Sequence, residues 1–554
     1  MNYPINKKKL ARPSSRGRRT GLAIAAASIA AMGQATAYAF EIDTGNPDVQ
    51  IHWDTQIKYT AAFRVEGRSG KMTRISNQDD GDNNFGKGLV SNRADLFTEF
   101  DAQYHGWGVR LSGAGWYDTV YNKSNDNISP ATVNHGAPFN EFPRATRELH
   151  GRKAELLDAF VFGKFKVADS PLTFRAGRHA LQWGETLVLG TNGIAGGMQP
   201  LDLVKLVSVP NVLFKELIRP VGQVSAQISL GSNVFLGAFY QYEWEPNVFP
   251  GAGSYFSTAD VFDEGGMYFS PQTSIPRRDD DDARQQGQFG AQLRFQIPGW
   301  EPDFGIYGIH YHSKSPAGLS IAPAGPAPFY KYSYAEDITA VGASASQTFG
   351  DVGIAAEGSV RFNTPLASRA NNVLASGVVG SPDNPTWAVG HTLHFNINAL
   401  VTLAPNFISN EASVLAEVAY NHLQTITENP SALAVNAQRD GLALVLRYTP
   451  TYRQALPGLD ISVPLGVTYA PMGNDAAGVF GTALGDDGGT ASAGLSFVYL
   501  NSWRADIQYT RFFGPDGYQI NPPTWHPATG IGQPTFDRTV ADRDFVSISV
   551  SRTF

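Results

Sequence analysis

Charged side chains recur at every second position in many stretches of this chain, and their spacing carries more chemical meaning than any single residue. Over 51–65 the even positions hold His52, Asp54, Lys58 and Arg64, while Ile51, Trp53, Ile57, Tyr59 and Phe63 occupy odd ones. The same separation sets Asp95, Glu99 and Asp101 against Ala94, Leu96 and Phe100. It also puts Arg110, Asp118, Asp158, Lys164, Arg175, Glu417, Arg447, Arg504 and Asp506 on the polar faces of further segments. Mixed charge along one face of many extended segments makes a hydrated wall that contacts ions and polar groups. It is not a catalytic arrangement. The absence of cysteine removes thiolate nucleophiles, thiolate metal sites and disulfides. Hydrolysis by a lipid-accessible serine needs a histidine on the apolar face. His391 and His422 have that parity, but no local motif pairs either with a nucleophile. No catalytic residue, metal ligand or cofactor is expected.

A second constellation lies over 182–223, where Trp183, Glu185, Pro200, Asp202, Lys205, Lys215 and Glu216 are set among many leucines, valines and isoleucines. An apolar connection of this length is costly in water. It is therefore expected to fold into an interior and narrow it. Prolines at 200 and 210 predict short helices over 200–207 and 211–217. Inward-parity aromatics, namely Phe97, Trp116, Phe160, Phe162, Phe235 and Phe239, are expected either to pack against this loop or to form an apolar path.

The elements that must position these residues are strands. The period of two over 51–65 lasts fifteen residues, far beyond an ordinary soluble strand and enough to cross a bilayer at a tilt. Eighteen such segments begin near residues 51, 93, 107, 154, 171, 222, 233, 287, 303, 338, 351, 389, 410, 438, 459, 489, 502 and 543. Short links alternate with long ones, the asymmetry of membrane barrels with tight periplasmic turns and long outer loops. The expected fold is all-β, an antiparallel up-and-down transmembrane barrel of sixteen to eighteen strands in one domain over 40–554. The last segment ends on Phe554, a terminal aromatic of the kind that barrel-insertion machinery reads.

The N-terminus points to export. Seven basic residues from Lys7 to Arg19 precede an apolar stretch, then Ala37-Tyr38-Ala39, so residues 1–39 read as a signal peptide cleaved near Ala39. No apolar run approaches the ~20 residues of a membrane helix. Without the signal the chain keeps 36 basic residues against 50 acidic ones, a net −14 that argues against nucleic-acid binding. The acidic clusters Asp79-Asp80-Gly81-Asp82, Asp279 to Asp282 and Asp486-Asp487 are expected to be solvated loop charge rather than calcium ligands; the first lacks the glycine at position six and the glutamate at position twelve of an EF-hand loop. Arg277-Arg278 is expected to pair locally with the second cluster. About eleven residues separate Phe40 from the first strand, too few for an N-terminal plug domain.

Several motifs carry a resemblance. They are Asn77-Gln78-Asp79-Asp80-Gly81-Asp82-Asn83-Asn84-Phe85, Leu157-Asp158-Ala159-Phe160, Arg175-Ala176-Gly177-Arg178 and Gln182-Trp183-Gly184-Glu185. Pro200-Leu201-Asp202, Lys215-Glu216 with Pro220, and Gly253-Ser254-Tyr255-Phe256 with Asp260 extend it. In these the chain resembles the Gram-negative outer-membrane family catalogued as domain of unknown function 1302, although Met198-Gln199 departs from its usual turn. The resemblance implies an outer-membrane barrel of the kind encoded near exporters and lipid-handling proteins, and it brings no catalytic residues. The expected function is passage of small apolar or amphipathic solutes across the outer membrane, constricted by 182–223. A structural partner in an export route for lipophilic compounds is the second reading, and a barrel-embedded lipid hydrolase the third. Expected partners are outer-membrane lipid and lipopolysaccharide, the insertion machinery through Phe554, and periplasmic export proteins, with no nucleic acid.

Overall fold

Strands whose side chains alternate between apolar and polar can satisfy their backbone in lipid only by closing into a ring, because an open edge leaves N–H and C=O groups unpaired. In the computed structural model this closure is complete. The described residues are 40–554 except 210–211, 263, 271–272, 323–327, 370–371, 374–379 and 522–531. The expected signal peptide thus lies outside them.

The wall strands, in chain order, are β1 (Val49–Arg64), β2 (Gly88–Tyr104), β3 (Trp107–Asp118), β4 (Arg152–Val167), β5 (Ser170–His179) and β6 (Val221–Leu230). Then come β7 (Val234–Gln241), β8 (Gln288–Gln296), β9 (Asp303–Tyr311), β10 (Ile338–Phe349), β11 (Val352–Pro365) and β12 (Val389–Leu403). The ring is completed by β13 (Glu411–Glu428), β14 (Asp440–Leu456), β15 (Leu459–Ser462 continuing as Leu465–Met472), β16 (Gly488–Tyr499), β17 (Trp503–Phe513) and β18 (Phe545–Thr553). Each strand pairs antiparallel with the next, and β18 closes on β1 with Ile548 opposite Ala61. Eighteen strands cross, each starting within five residues of its expected position. The break in β15 falls at Val463-Pro464, where proline cannot donate to the ladder, and Val463 N–H donates instead to Pro450 O at 3.0 Å.

Short turns follow β2 and β4 as two-residue links with both residues at positive φ, His105-Gly106 and Ala168-Asp169. That is the hairpin geometry whose twist matches the flanking strands. Long connections occupy the other end, and both ends of the ring, Val49 and Thr553, lie on the short-turn side.

The outer face is apolar and exposed. Tyr104, Trp107, Phe165, Phe349, Tyr499 and Trp503 ring the short-turn end, and Phe63, Tyr117, Tyr240, Phe289, Phe362 and Tyr509 ring the long-loop end. Leu96, Val161, Ile306, Val341, Ile397, Leu446 and Ile548 lie between these girdles. An apolar band flanked by aromatic rings fits a hydrocarbon layer and its two interfaces. The packed core is inside the ring. Trp183, Ile194 and Met198 of the long 180–220 connection cluster there with Phe239, Tyr307, Ile309 and Tyr311 of the wall.

Three expectations are corrected. The first helix of the 180–220 connection runs over Leu203–Ser208 rather than from Pro200, because Asp202 accepts the Lys205 N–H at 2.8 Å and caps it. The second is a single turn, Phe214–Leu217; residue 211, its expected start, lies outside the described residues. Asp79, Asp80 and Asp82 are not solvated: all three are buried, where loops 65–87 and 242–287 meet. Asp279 to Asp282 and Asp486-Asp487 are exposed or half-buried, as expected of loop charge. Arg277 does pair with Asp280, at 2.5 Å, while Arg278 stacks on Phe329.

Candidate functional site in the lumen

The connection from β5 to β6 folds into the lumen, and its sequence explains how it is held. Its backbone leaves the N–H groups of Glu185, Val188, Leu189 and Ile194 pointing at the wall. Two carboxylates receive them. On β11, Glu357 accepts from the N–H of Glu185 (2.7 Å) and of Ile194 (2.6 Å). On β13, Glu417 Oε2 accepts from Val188 N–H (2.6 Å) and Leu189 N–H (3.2 Å). Arg361, also on β11, donates to the carbonyls of Thr191 and Gly193 at 2.9 and 2.8 Å. From β12, Asn396 accepts from Asn192 (2.8 Å) and Asn398 donates to Glu185 O (2.6 Å). Glycine is needed at 184, which has φ +97° and whose added Cβ would collide with the Glu357 carboxylate.

The far end of the same connection is tied to other strands. Lys205 and Arg219 both pair with Glu155 of β4, at 2.9 and 3.0 Å. Lys205 also lies 4.9 Å from the ring centre of Trp116 on β3. Lys215 reaches Glu99 of β2 at 3.2 Å and sits 4.5 Å above Phe97, beside which Leu213 packs. In a closed ring of eighteen strands, β2–β4 and β11–β13 stand nine strands apart and so face each other. The connection therefore crosses the lumen from one wall to the opposite one.

The residues expected to line the interior are distributed around this crossing. Asp101 pairs with Arg110 at 2.8 Å, Asp95 with Arg93 at 2.7 Å, and Asp506 with Arg504 at 3.0 Å. Asp158 accepts from Ser112 Oγ at 2.8 Å. Lys164 and Arg175 lie over the rings of Phe162 and Phe160, at 5.9 and 5.8 Å. Lys58 is buried on β1 and Arg447 half-buried on β14, while Asp54 lies nearer the short-turn end. Arg64 shares the inward parity but is enclosed at the outer end, bonded to Asp82 (2.8 Å) and Asp542 (3.0 Å). Of the loop residues, Trp183 meets Phe239 edge-on at 5.0 Å, Glu185 pairs with Arg294 at 2.9 Å, and Pro200 O accepts from Arg219 N–H at 2.9 Å. Glu216 lies in the second helical turn, next to Lys215.

Charge facing inward is not all paired away from water. The Arg110 and Lys215 side chains are 40% and 41% exposed, and Lys164 and Arg175 are exposed, although all four face the interior. Space for water thus remains beside the crossing loop.

Sequence reasoning missed Glu357, Arg361, Asn396 and Asn398, although the alternation through β11 and β12 gives all four the inward parity. It missed Glu155 for a different reason. A register shift between Leu111 and Gly113 of β3 reverses the parity of β4, so that Leu156 faces out at 57% exposure while Glu155 and Leu157 face in.

Among solved structures, Acinetobacter baumannii OccAB1 is 10% identical with a TM-score of 0.43, over 94% of this chain and 99% of that one. Pseudomonas aeruginosa OpdK, solved with vanillate, is 9% identical with a TM-score of 0.38, over 91% and 98%. Pseudomonas aeruginosa OccK2, solved with glucuronate, is 10% identical with a TM-score of 0.35, over 91% and 98%. No curated protein matches the chain. A family model described as a protein of unknown function, DUF1302, matches residues 18–554, and the chain belongs to that family.

Proposed function

We propose that this protein is an outer-membrane channel for small amphipathic solutes, with the 182–223 loop setting its narrowest passage. The observation that carries the reading is the loop's anchorage to opposite walls while inward cations beside it stay exposed. A barrel of this strand number leaves an aqueous interior when nothing fills it. The loop fills it in part, and the remaining passage is bordered by charge from both loop and wall. Phe160 with Arg175 and Phe162 with Lys164 offer an apolar ring face beside a cation, which suits a solute with an apolar body and a polar end. Catalysis has no comparable support: His422 is held by Asp440 at 2.7 Å, and no serine is bonded to it among the described residues.

Solute flux into proteoliposomes tests this reading. Small amphipathic acids are expected to enter faster than neutral sugars of the same mass. Equal permeation of both would remove the solute preference, and no permeation of either would remove the channel.

A further inference from the structure

At the outer mouth of the barrel, three carboxylates from two loops converge out of reach of solvent. Asp79 and Asp80 belong to the loop between β1 and β2, and Asp260 to the loop between β7 and β8. Each offers an oxygen within 4.8 Å of the others, and their exposures are 0%, 2% and 2%. The backbone holds them in place. Asp260 Oδ2 accepts the N–H groups of Asp79 (2.9 Å) and Asp80 (3.3 Å), and Asp260 N–H donates to Asn77 O at 2.9 Å. Asn83 donates to Asp79 Oδ2 at 2.7 Å and Asn127 to Asp80 Oδ1 at 3.3 Å.

Two observations beyond the clustering point to a ligand. Oδ1 of Asp260 is fully enclosed and accepts no hydrogen bond, so an acceptor that faces neither water nor a donor is left among the three carboxyls. An orphaned buried carboxylate oxygen is expensive unless something positive sits against it. No lysine, arginine or histidine supplies that charge, since none makes an ion pair with any of the three among the described residues. The neighbouring Asp82 shows the contrast: Arg64 (2.8 Å) and Arg543 (3.3 Å) neutralise it.

We infer that Asp79, Asp80 and Asp260 form a calcium site that staples the first outer loop to the fourth. Hard oxygen donors select calcium or magnesium over softer metals. Calcium accepts six to eight oxygens in irregular sets, whereas magnesium keeps several of its waters. A pocket closed to solvent, with a carboxylate from a distant loop, suits the first.

The test uses the full-length protein in detergent, stripped with EDTA and dialysed, then titrated with calcium chloride at pH 8. Calorimetry is expected to report one calcium per chain, and the unfolding temperature is expected to rise by at least 5 °C at saturation. Magnesium chloride is expected to bind at least tenfold more weakly. Asp260→Asn should abolish the calcium-dependent rise, and Asp79→Asn should weaken binding at least tenfold. Asp279→Asn, on the exposed acidic loop, should leave binding unchanged. Absence of both heat and thermal shift at 10 mM calcium would overturn the site and leave a protonated cluster in its place. Calcium binding that is unaltered by Asp260→Asn would also overturn it, assigning the ion to residual lipopolysaccharide. If neither variant folds, wild-type protein refolded free of lipopolysaccharide decides: one bound calcium per chain is expected, and none would overturn the site.

Discussion

Replacing Glu357 by alanine tests whether the lumen loop is held by the bonds described. The carboxylate accepts two backbone N–H groups, from Glu185 and Ile194, and among the described residues no other side chain bonds both. A hydrogen bond to a charged group contributes about 1.5–3 kcal/mol. Water in the lumen can replace part of it, so the lower end applies and the two bonds together amount to about 3 kcal/mol. At ~1.4 kcal/mol per factor of ten, the population of loop-displaced states should rise about 100-fold. Glu417, Arg361 and Glu155 remain as anchors, so the loop should make excursions rather than leave. In single-channel recordings these excursions appear as brief steps to a larger conductance. Glu357→Ala should show them about 100 times more often than wild type. Glu357→Gln, which keeps one acceptor oxygen, should fall between. If Glu357→Ala inserts as a heat-modifiable barrel and its steps stay within twofold of wild type, the anchorage argument is wrong.

Three further outcomes follow from the same geometry. Because the chain has no cysteine, single cysteines report their surroundings without background; Arg175→Cys should react with a charged thiol reagent and reduce current, whereas Val161→Cys, which faces out, should not. Equal reactivity of the two would contradict the assignment of faces. Arg543 is buried and bonds Asp82 and the carbonyls of Tyr255 and Ser257, so Arg543→Met leaves Asp82 to Arg64 and takes the donor from two buried carbonyls; this should cost about 2–4 kcal/mol, read as a lower heat-modification temperature. The third concerns pH. Asp79 is raised in the fold, mainly by burial, so its contribution is fully present below the unfolded value near 3.8 and is lost as pH rises through about 7. The EDTA-treated protein should therefore unfold at a lower temperature at pH 8 than at pH 5, with Asp260→Asn flattening the difference. A higher unfolding temperature at pH 8 would contradict this sign.

The wall was legible because lipid imposes one rule on every crossing residue, and Trp53, Ile57 and Tyr59 against Asp54 and Lys58 obey it without local exceptions. The loop's destination was legible for the same kind of reason: Ile194 and Met198 had to be buried somewhere, and the lumen was the available interior. Its attachment points were not. Glu357 and Glu417 differ from other inward carboxylates only in what lies opposite them, and that depends on how a forty-residue connection turns at Gly184 and Gly193. Glu155 was concealed by a bulge, which shifts parity without any mark in the residues around it. The Asp79–Asp82 cluster misled because a run of acidic residues usually faces water. Here Asp260, about 180 positions away in the chain, and Arg543, farther still, decide its environment.

The central claim is that the loop crossing the lumen narrows a water-filled passage. Planar-bilayer conductance of the wild-type barrel beside a variant lacking 191–209 tests it most directly. The deleted segment carries the Asn192, Ile194 and Lys205 contacts, while the wall pairings, including β18 with β1, do not involve it. The account predicts a small, steady conductance for wild type and a severalfold larger one for the deletion. A folded deletion variant that conducts no better than wild type, or two inserted barrels that pass no current, would contradict it.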